Sequence, residues 1–166
     1  MLLLSGSPAT DSVNSRFLLA LGRLYGDNCG LADYLAHLPV FQPQLDHSAW
    51  PLEVVRLREE VAAAPAVVIS TPAYLHNLPA VLKNTLEWLT SSGELHEKPV
   101  LVFTLTPHEP RGERARQSLL WSLEALNARV VAETGLYHDD LALTPAGEIG
   151  NAETVEALRE LLALLP

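Results

Sequence analysis

Short apolar runs alternate along this chain with longer segments in which apolar residues recur at helical spacing. Four of the runs predict strands, at Met1–Leu4, Ala66–Ser70, Val100–Phe103 and Arg129–Ala132. The run at Ala66–Ser70 is continuous and β-branched, as expected of a strand that is buried on both faces. A weaker run predicts one more strand at Gly30–Leu35. Strands that alternate with helical segments are typical of repeated βαβ units.

Five helical faces follow these strands. Their apolar positions are Phe17, Leu21 and Leu24; Val54, Leu57 and Val61; Leu82, Leu86 and Leu89; Ala115, Leu119, Leu123 and Leu126; and Val155, Leu158 and Leu162. Right-handed crossovers leave few topologies for this alternation. We therefore predict an α/β fold over residues 1–166 as a single domain. It is a flavodoxin-like three-layer sandwich whose five-stranded parallel sheet, in the order 2-1-3-4-5, has helices on both faces.

Composition narrows the functions that are open to this fold. The chain carries 11 basic and 20 acidic side chains, a formal net charge of -9, which would repel nucleic acids and anionic membranes. Its single cysteine excludes an intramolecular disulfide. Met1–Leu4 is too short for a signal peptide, and no run reaches the roughly 20 apolar residues of a membrane span. We therefore expect a cytoplasmic protein with no membrane or nucleic-acid partner.

Ligands of such sheets bind beyond the carboxyl ends of the strands, so the loops after strands one, three and four are the candidate sites. The first loop, Ser5–Asn14, leads into a helix and carries hydroxyls at Ser7, Thr10 and Ser12. A helix N-terminus with nearby hydroxyls suits a phosphate. Ser, Asp and Asn are also the residues that cap ordinary helices, so the loop alone leaves both interpretations open.

The loop after strand three carries a more specific pattern. The first group of motif residues in this loop is Thr71, Pro72 and Tyr74. A second group follows at Pro79, Leu82, Lys83, Asn84, Glu87 and Trp88. Together with Gly6, Ser7, Ser12 and Asn14, and with the segment Leu38–Phe41 and Asp46, these residues cover nearly the whole chain in order. The chain thereby resembles the NAD(P)H-dependent FMN reductase family, whose flavodoxin-like members include quinone, chromate and azo-dye reductases.

The resemblance implies an oxidoreductase that passes hydride from NAD(P)H through bound FMN to a small-molecule acceptor. It also implies a homodimer or homotetramer. The implied FMN contacts fall in all three loops. They are Ser7, Ser12, Val13 and Asn14 at the phosphate, Pro72, Ala73, Tyr74 and Leu75 along the ring, and Thr106 and His108 at the pyrimidine edge. Lys83, Asn84 and Trp88 are expected to serve the fold or the subunit contact.

The chain also departs from the family pattern. Ala9 replaces the arginine of the phosphate loop, and Asp11 adds a negative charge beside it. Loss of one charge-assisted bond costs about 1.5–3 kcal/mol, about tenfold to a hundredfold in affinity, which Arg16 would partly restore if it reached the phosphate. Ala73 and Leu75 replace the Glu and Asn that flank the family's tyrosine.

The loop after strand four differs most from the family pattern. Gly112 is the one glycine in Thr104–Gly112, where the family has a glycine-rich turn. Arg111, Arg114 and Arg116 follow, and they suit either the phosphates of a nicotinamide cofactor or a solvated helix face.

Other kinds of site find little support. The six histidines form no i, i+4 pair, so no metal site is predicted. No Gly-x-Ser-x-Gly elbow indicates a hydrolase. Because a bound flavin carries the redox chemistry, no catalytic side chain is assigned. A flavodoxin-type electron carrier and a degenerate, non-flavin interaction or sensing protein remain alternatives.

Overall fold

The computed structural model describes residues 1–26, 28–47 and 50–166 of the chain. Within these ranges, one parallel sheet contains five strands in the order β2-β1-β3-β4-β5. Its strands are β1 (Leu2–Ser5), β2 (Gly30–Leu31), β3 (Val67–Thr71), β4 (Pro99–Thr106) and β5 (Arg129–Tyr137). The predicted strand order and the flavodoxin-like α/β class are thereby confirmed.

The helices of the described ranges cover both faces of this sheet. They are α1 (Val13–Tyr25), α2 (Leu52–Ala63), α3 (Ala80–Glu87), α4 (Glu113–Ala125), the short α5 (His138–Leu141) and α6 (Ala152–Leu162), with 3-10 turns at Leu35–His37 and Pro43–His47. Among the described residues, no helix has both the length and the apolar character that crossing a membrane requires.

Alternation along the strands divides the core into two layers. In β3, Val67 and Ile69 pack with α2, α3 and α4, while Val68 packs on the opposite face with α1 and α6. Successive side chains of a strand point to opposite faces, so a strand with apolar residues at every position needs helices on both sides. Phe17 of α1 meets Phe103 of β4 edge to face, with ring centroids 5.2 Å apart.

Several element boundaries differ from those predicted. The second strand spans only Gly30–Leu31 rather than Gly30–Leu35, because Tyr34 and Leu35 turn into the core through a 3-10 turn. The third helix ends at Glu87, before Leu89, the last apolar position of its predicted face. Strands β4 and β5 run several residues beyond their predicted ends. These extensions carry the loop after β4 further from the sheet centre than the apolar runs indicated.

Helix α3 pins the segment before α2. The Asn84 side chain accepts a hydrogen bond from the Phe41 N–H at 2.8 Å and donates one to the Pro39 carbonyl at 3.0 Å. The indole of Trp88, which is fully buried, donates to the same Pro39 carbonyl at 2.8 Å. Lys83 pairs with Glu87 on the exposed side of the helix. Asn84 and Trp88 therefore support the fold, as expected.

Candidate active site

The loop between β1 and α1 is held by its own hydroxyl groups. Ser12 caps α1, and its Oγ accepts a hydrogen bond from the Ser15 N–H at 3.1 Å. The Ser15 hydroxyl donates to Ser5 Oγ at 3.0 Å, and the Ser7 Oγ accepts the N–H of Ala9 at 3.4 Å. A hydroxyl that accepts one hydrogen bond can still donate another, so Ser7 keeps the capacity to bind an anion. Ser12 Oγ also lies 2.9 Å from Ser15 Oγ, and because the Ser15 proton goes to Ser5, the Ser12 hydroxyl donates to Ser15.

Asn14 lies beneath this loop and is only 4% exposed. Its side-chain oxygen accepts a hydrogen bond from the Ser70 hydroxyl at 2.7 Å, and its amide donates to the Leu105 carbonyl at 3.4 Å. Asn14 thus ties α1 to the ends of β3 and β4. Its side chain is committed to the protein, which leaves its main chain for a ligand.

The main-chain N–H groups of the first helical turn are available to an anion. In the part of the chain that the structure describes, the N–H groups of Val13 and Asn14 have no hydrogen-bond acceptor. Such groups at the positive end of a helix dipole favour a negative charge. Gly6 brings the loop close to β3, since a Cβ on it would lie 2.4 Å from Thr71 Oγ1.

The loop after β3 turns sharply at Tyr74–Asn77. The N–H of Tyr74 donates to the Asn77 carbonyl at 3.0 Å, and the reverse bond is 2.9 Å. The two residues between them, Leu75 and His76, have φ values of 50° and 61°. A left-handed conformation costs a non-glycine residue about 1–2 kcal/mol. This turn is therefore strained, and it leaves Leu75 97% exposed.

The loop after β4 is closed by a threonine. The buried Thr106 donates its hydroxyl to the Arg111 carbonyl at 2.7 Å, and the Arg111 N–H donates to the His108 carbonyl at 3.1 Å. Gly112 then caps α4 with a φ of 109° and lies against Thr106. These contacts fix where the Arg111 side chain leaves the loop.

The three loops meet around a cavity of about 220 Å³, the inner cavity. Eight of the ten predicted FMN-contact residues line it, namely Ser7, Ser12, Val13, Asn14, Pro72, Ala73, Tyr74 and Thr106. Leu105, Pro107, Arg111 and His138 complete the lining. The loops that the sequence singled out therefore converge on one place at the carboxyl edge of the sheet.

The other two predicted residues, Leu75 and His108, lie in an adjoining cleft of about 690 Å³, the outer cleft. It runs between the Tyr74–Asn77 turn and the start of α4, and His76, Pro110, Arg111, Gly112, Glu113 and Arg114 also line it. Arg111 lines both the inner cavity and the outer cleft. The two spaces are therefore neighbouring parts of one candidate site.

The charges of the site are mixed. Arg111 and Arg114 face the outer cleft together with the carboxylate of Glu113. Beyond them, Arg116 pairs with Glu133 at 2.7 Å. Desolvation, helped by the carboxylates of Glu109 and Glu113, raises the pKa of Tyr137.

Arg111 and His138 line the inner cavity but were not among the predicted FMN contacts. Among the described residues that line the inner cavity, Arg111 is the one arginine, whereas Arg16 is exposed elsewhere on α1. His138 begins the short helix α5. The sequence signal for both residues was their place along the chain, because each follows the carboxyl end of a strand.

A model of the NADPH-dependent FMN reductase family matches residues 1–140 of the chain. Among curated relatives, the NADH:(hydroxy)cinnamate reductase subunit CrdA of Vibrio ruber is 30% identical over 162 residues, which cover 94% of this chain and 80% of that protein. The quinone reductase of Escherichia coli K12 is 32% identical over 100 residues, 58% of this chain and 53% of that protein.

The fold has a close counterpart among solved structures. FerB, a flavoenzyme NAD(P)H:(acceptor) oxidoreductase from Paracoccus denitrificans, superposes with a TM-score of 0.79 at 21% identity. The superposition covers 98% of this chain and 92% of that one. It supports the three-layer architecture independently of the sequence match.

Together, the family match over most of the chain and the convergence of its loops confirm four of the sequence predictions. These are the family, FMN as cofactor, NAD(P)H as co-substrate and flavin-dependent oxidoreduction as the activity. The chain belongs to the NADPH-dependent FMN reductase family.

Proposed function

We propose that the inner cavity holds FMN and that the outer cleft admits NAD(P)H and then a small electron acceptor. The observation that carries this proposal is the convergence of eight predicted contact residues on one cavity, beside two N–H groups that have no acceptor among the described residues. The activities of the whole protein toward particular acceptors are part of the proposal, since the quinone reductase match spans only 53% of that relative.

The phosphate end of FMN is assigned to the start of α1. The N–H groups of Val13 and Asn14 supply the main-chain donors, and the hydroxyl of Ser7 adds one more. Arg111 brings the positive charge that Ala9 cannot supply. This arrangement offsets the loss of the family's loop arginine, because the cation comes from a different loop of the same cavity.

The ring end is assigned to the main chain of Pro72–Leu75 and to Thr106 and His108. The inner cavity, at about 220 Å³, is smaller than the roughly 300–1,000 Å³ of sites that enclose a drug-sized ligand. The ring must therefore extend into the outer cleft. Leu75 and His108, which line that cleft, are then ring neighbours rather than phosphate ligands.

FMN, when bound, supplies the redox chemistry between the nicotinamide and the acceptor. The chain's own part is to hold the phosphate, to orient the ring between two loops and to shield one side of it from water. Pro72 and Ala73 provide an apolar floor for that purpose, and Ala73 is only 4% exposed. No side chain of the site is required as a general acid or base.

A titration of the apoprotein with FMN tests the cofactor proposal directly. Flavin fluorescence and the visible absorbance bands should change with a one-to-one end point at micromolar protein. Riboflavin, which has no phosphate, should bind at least about tenfold more weakly if the α1 N-terminus contributes as proposed. If about 50 µM FMN causes no spectral change, the binding free energy is weaker than about -6 kcal/mol and the proposal is overturned.

A turnover assay then separates an oxidoreductase from an electron carrier. The FMN-loaded protein should oxidise NADH or NADPH in the presence of a quinone, and a carrier would not. An acceptor panel of a quinone, free flavin, an azo dye and a hydroxycinnamate covers the activities named for the relatives. The outer cleft of about 690 Å³ favours the enzyme, because it leaves room for a second molecule.

We also propose that the chain forms a homodimer through the surfaces beside α3. Apolar side chains are exposed there on both sides, with Val40 75% exposed and Trp121 on α4 64% exposed. Light scattering after size-exclusion chromatography should give twice the chain mass. Trp121→Glu should shift that mass toward the monomer, and an unchanged dimer would move the contact elsewhere.

A further inference from the structure

The inner cavity is lined by a histidine that has no assigned role. His138 follows the carboxyl end of β5 and borders this cavity together with Ser7, Val13 and Asn14, the residues at the start of α1. Within the described residues, no hydrogen bond and no ion pair engages its imidazole. The ring is therefore available to whatever occupies the cavity.

The sheet brings His138 close to the start of α1. The Asn14 side chain donates to the Leu105 carbonyl at 3.4 Å. Leu105 of β4 pairs with Leu136 of β5, two residues before His138, and neighbouring strands lie about 4.8 Å apart. Leu141 of α5 packs in the same apolar layer as α1. The starts of α1 and α5 therefore reach the inner cavity from the same face of the sheet.

The fold fixes the position of His138. Asp140 holds the short helix α5 at two points, since its carboxylate accepts the Tyr137 N–H at 2.7 Å and its carbonyl accepts the Thr154 hydroxyl at 2.7 Å. Leu141, at the end of α5, is fully buried. His138 itself is exposed. An imidazole without a partner in the protein is thereby presented to the cavity at a defined place.

We infer that His138 binds the phosphate group of FMN and that its protonation makes loading of the cofactor depend on pH. The interaction is a charge-assisted hydrogen bond from an imidazolium N–H to a phosphate oxygen. The inference rests on the proposed function, because it takes the inner cavity as the FMN site. It adds a residue that follows β5, beyond the three loops in which the FMN contacts were predicted.

The phosphate has need of a second cation in this chain. A phosphate monoester carries about 1.5 to 2 negative charges at neutral pH, and the positive end of the α1 dipole amounts to about half a charge. Arg111 supplies one full charge, while Ala9 supplies none. The formal net charge of -9 also opposes an incoming anion. Among the described residues that line the cavity, His138 is the remaining side chain that can become positive.

The surroundings of His138 leave it as the pH-sensitive group of the cavity. In the part of the chain that the structure describes, no carboxylate lines the cavity, and its other ionisable side chains are Arg111 and Tyr74. Arginine and tyrosine titrate far above neutral pH, whereas the ordinary pKa of an imidazole is about 6.5. The charged groups of the neighbouring elements lie outside the lining, and they are Asp11, Arg16, Glu109, Glu113, Arg116, Asp139, Asp140 and Glu153.

The pH dependence of FMN affinity tests the inference. Flavin fluorescence titrations of the FMN-free protein at about pH 6.5 and about pH 8.5 give the Kd, and the phosphate stays mostly dianionic over this range. The wild type should bind FMN severalfold more weakly at the higher pH, where the imidazole is neutral. His138→Gln should lose this dependence and bind at both pH values within about twofold of the wild type at the higher pH. His96→Gln is the matched control, because that exposed histidine precedes the amino end of β4 at the opposite edge of the sheet, and it should behave as the wild type does.

Two further measurements separate a charge effect from a structural one. His138→Lys keeps a cation over the whole range, so it should bind FMN at both pH values about as tightly as the wild type does at the lower one. Riboflavin, which has no phosphate, should bind the wild type and both variants equally. The inference is overturned if His138→Gln retains the pH dependence of the wild type, if it weakens riboflavin as much as FMN, or if His138→Lys loses as much FMN affinity as His138→Gln.

The inference and the proposed function fail in different ways. If the wild type binds no FMN at either pH, the flavin assignment of the inner cavity is wrong and the inference falls with it. If FMN binds the wild type and His138→Gln with the same affinity at both pH values, the FMN site stands and His138 has no part in it.

Discussion

Two loops at the same edge of the sheet are built in opposite ways. The phosphate loop, residues 5–14, is anchored by internal side-chain hydrogen bonds, since Ser12 caps α1 and Asn14 joins it to β3 and β4. The Tyr74–Asn77 turn holds Leu75 and His76 in the left-handed region and leaves Leu75 almost wholly exposed. One loop is stable without a ligand, and the other retains strain.

The contrast indicates what each loop does. A preformed anion cradle loses little entropy when a phosphate arrives, because its donors are already in place. Strain at an exposed turn brings no stability, so its persistence points to a side chain that must be presented at that position. The first loop is suited to a resident cofactor, and the second to a molecule that comes and goes.

The largest effect is expected from Asn14→Ala in the phosphate loop. The change leaves the Ser70 hydroxyl and the Leu105 carbonyl without their partner in a site that is 4% exposed. Each buried polar group left unsatisfied costs about 1–3 kcal/mol, so the free energy of unfolding should fall by about 2–4 kcal/mol. Urea denaturation of the apoprotein measures this change.

A double-mutant cycle shows whether the loss comes from the bridge itself. Because Ser70 and Asn14 share one hydrogen bond, Ser70→Ala and Asn14→Ala should together cost clearly less than the sum of their separate effects. Thr10→Ala, an exposed hydroxyl in the same loop, serves as control. Additive losses would mean that the two side chains act independently and that the loop is not anchored through them.

A smaller effect is expected from Ser12→Ala at the start of α1. The Ser15 N–H loses its acceptor, and caps of this kind contribute about 1 kcal/mol to stability. FMN affinity should fall as well, since the first helical turn presents the proposed donors. Ser12→Asp restores a cap but places a carboxylate beside the phosphate, so it should recover stability and not FMN binding. If Ser12→Asp recovers both stability and FMN affinity, the FMN phosphate does not lie at this position.

The sheet could be predicted from the sequence because its physics is local and periodic. Continuous β-branched runs such as Val67–Thr71 have no stable place except between two layers of helices. Edge strands carry a weaker signal, and Gly30–Leu31 pairs over only two positions. The extension of β4 to Thr106 was missed because buried threonines resemble loop residues until their hydroxyl partners are known.

The site was predictable in its loops but not in its details. Motif residues identified the phosphate loop and the Thr71–Pro72 segment, and the structure brings them to one cavity. The left-handed turn at Leu75 and His76 lacks the Asn-Gly signal that marks such turns in sequences. The place of Arg111 depends on the Thr106 hydroxyl and the Gly112 cap, which are long-range consequences of the fold.

The smallest effect is expected from a change at Leu75, which tests the comparison of the two loops most directly. Leu75→Asn puts a residue that tolerates a positive φ at a position that is 97% exposed, so it should raise the free energy of unfolding by about 0.5 kcal/mol. The same change at Leu164, an exposed leucine outside the left-handed region, should give no such gain. The stabilised variant should also show a higher KM for NAD(P)H, because Leu75 lines the outer cleft. A gain in stability at the expense of co-substrate binding is the usual signature of strain retained for function. If the free energy of unfolding rises and the KM for NAD(P)H does not change, the strain of this turn has no role in dinucleotide binding.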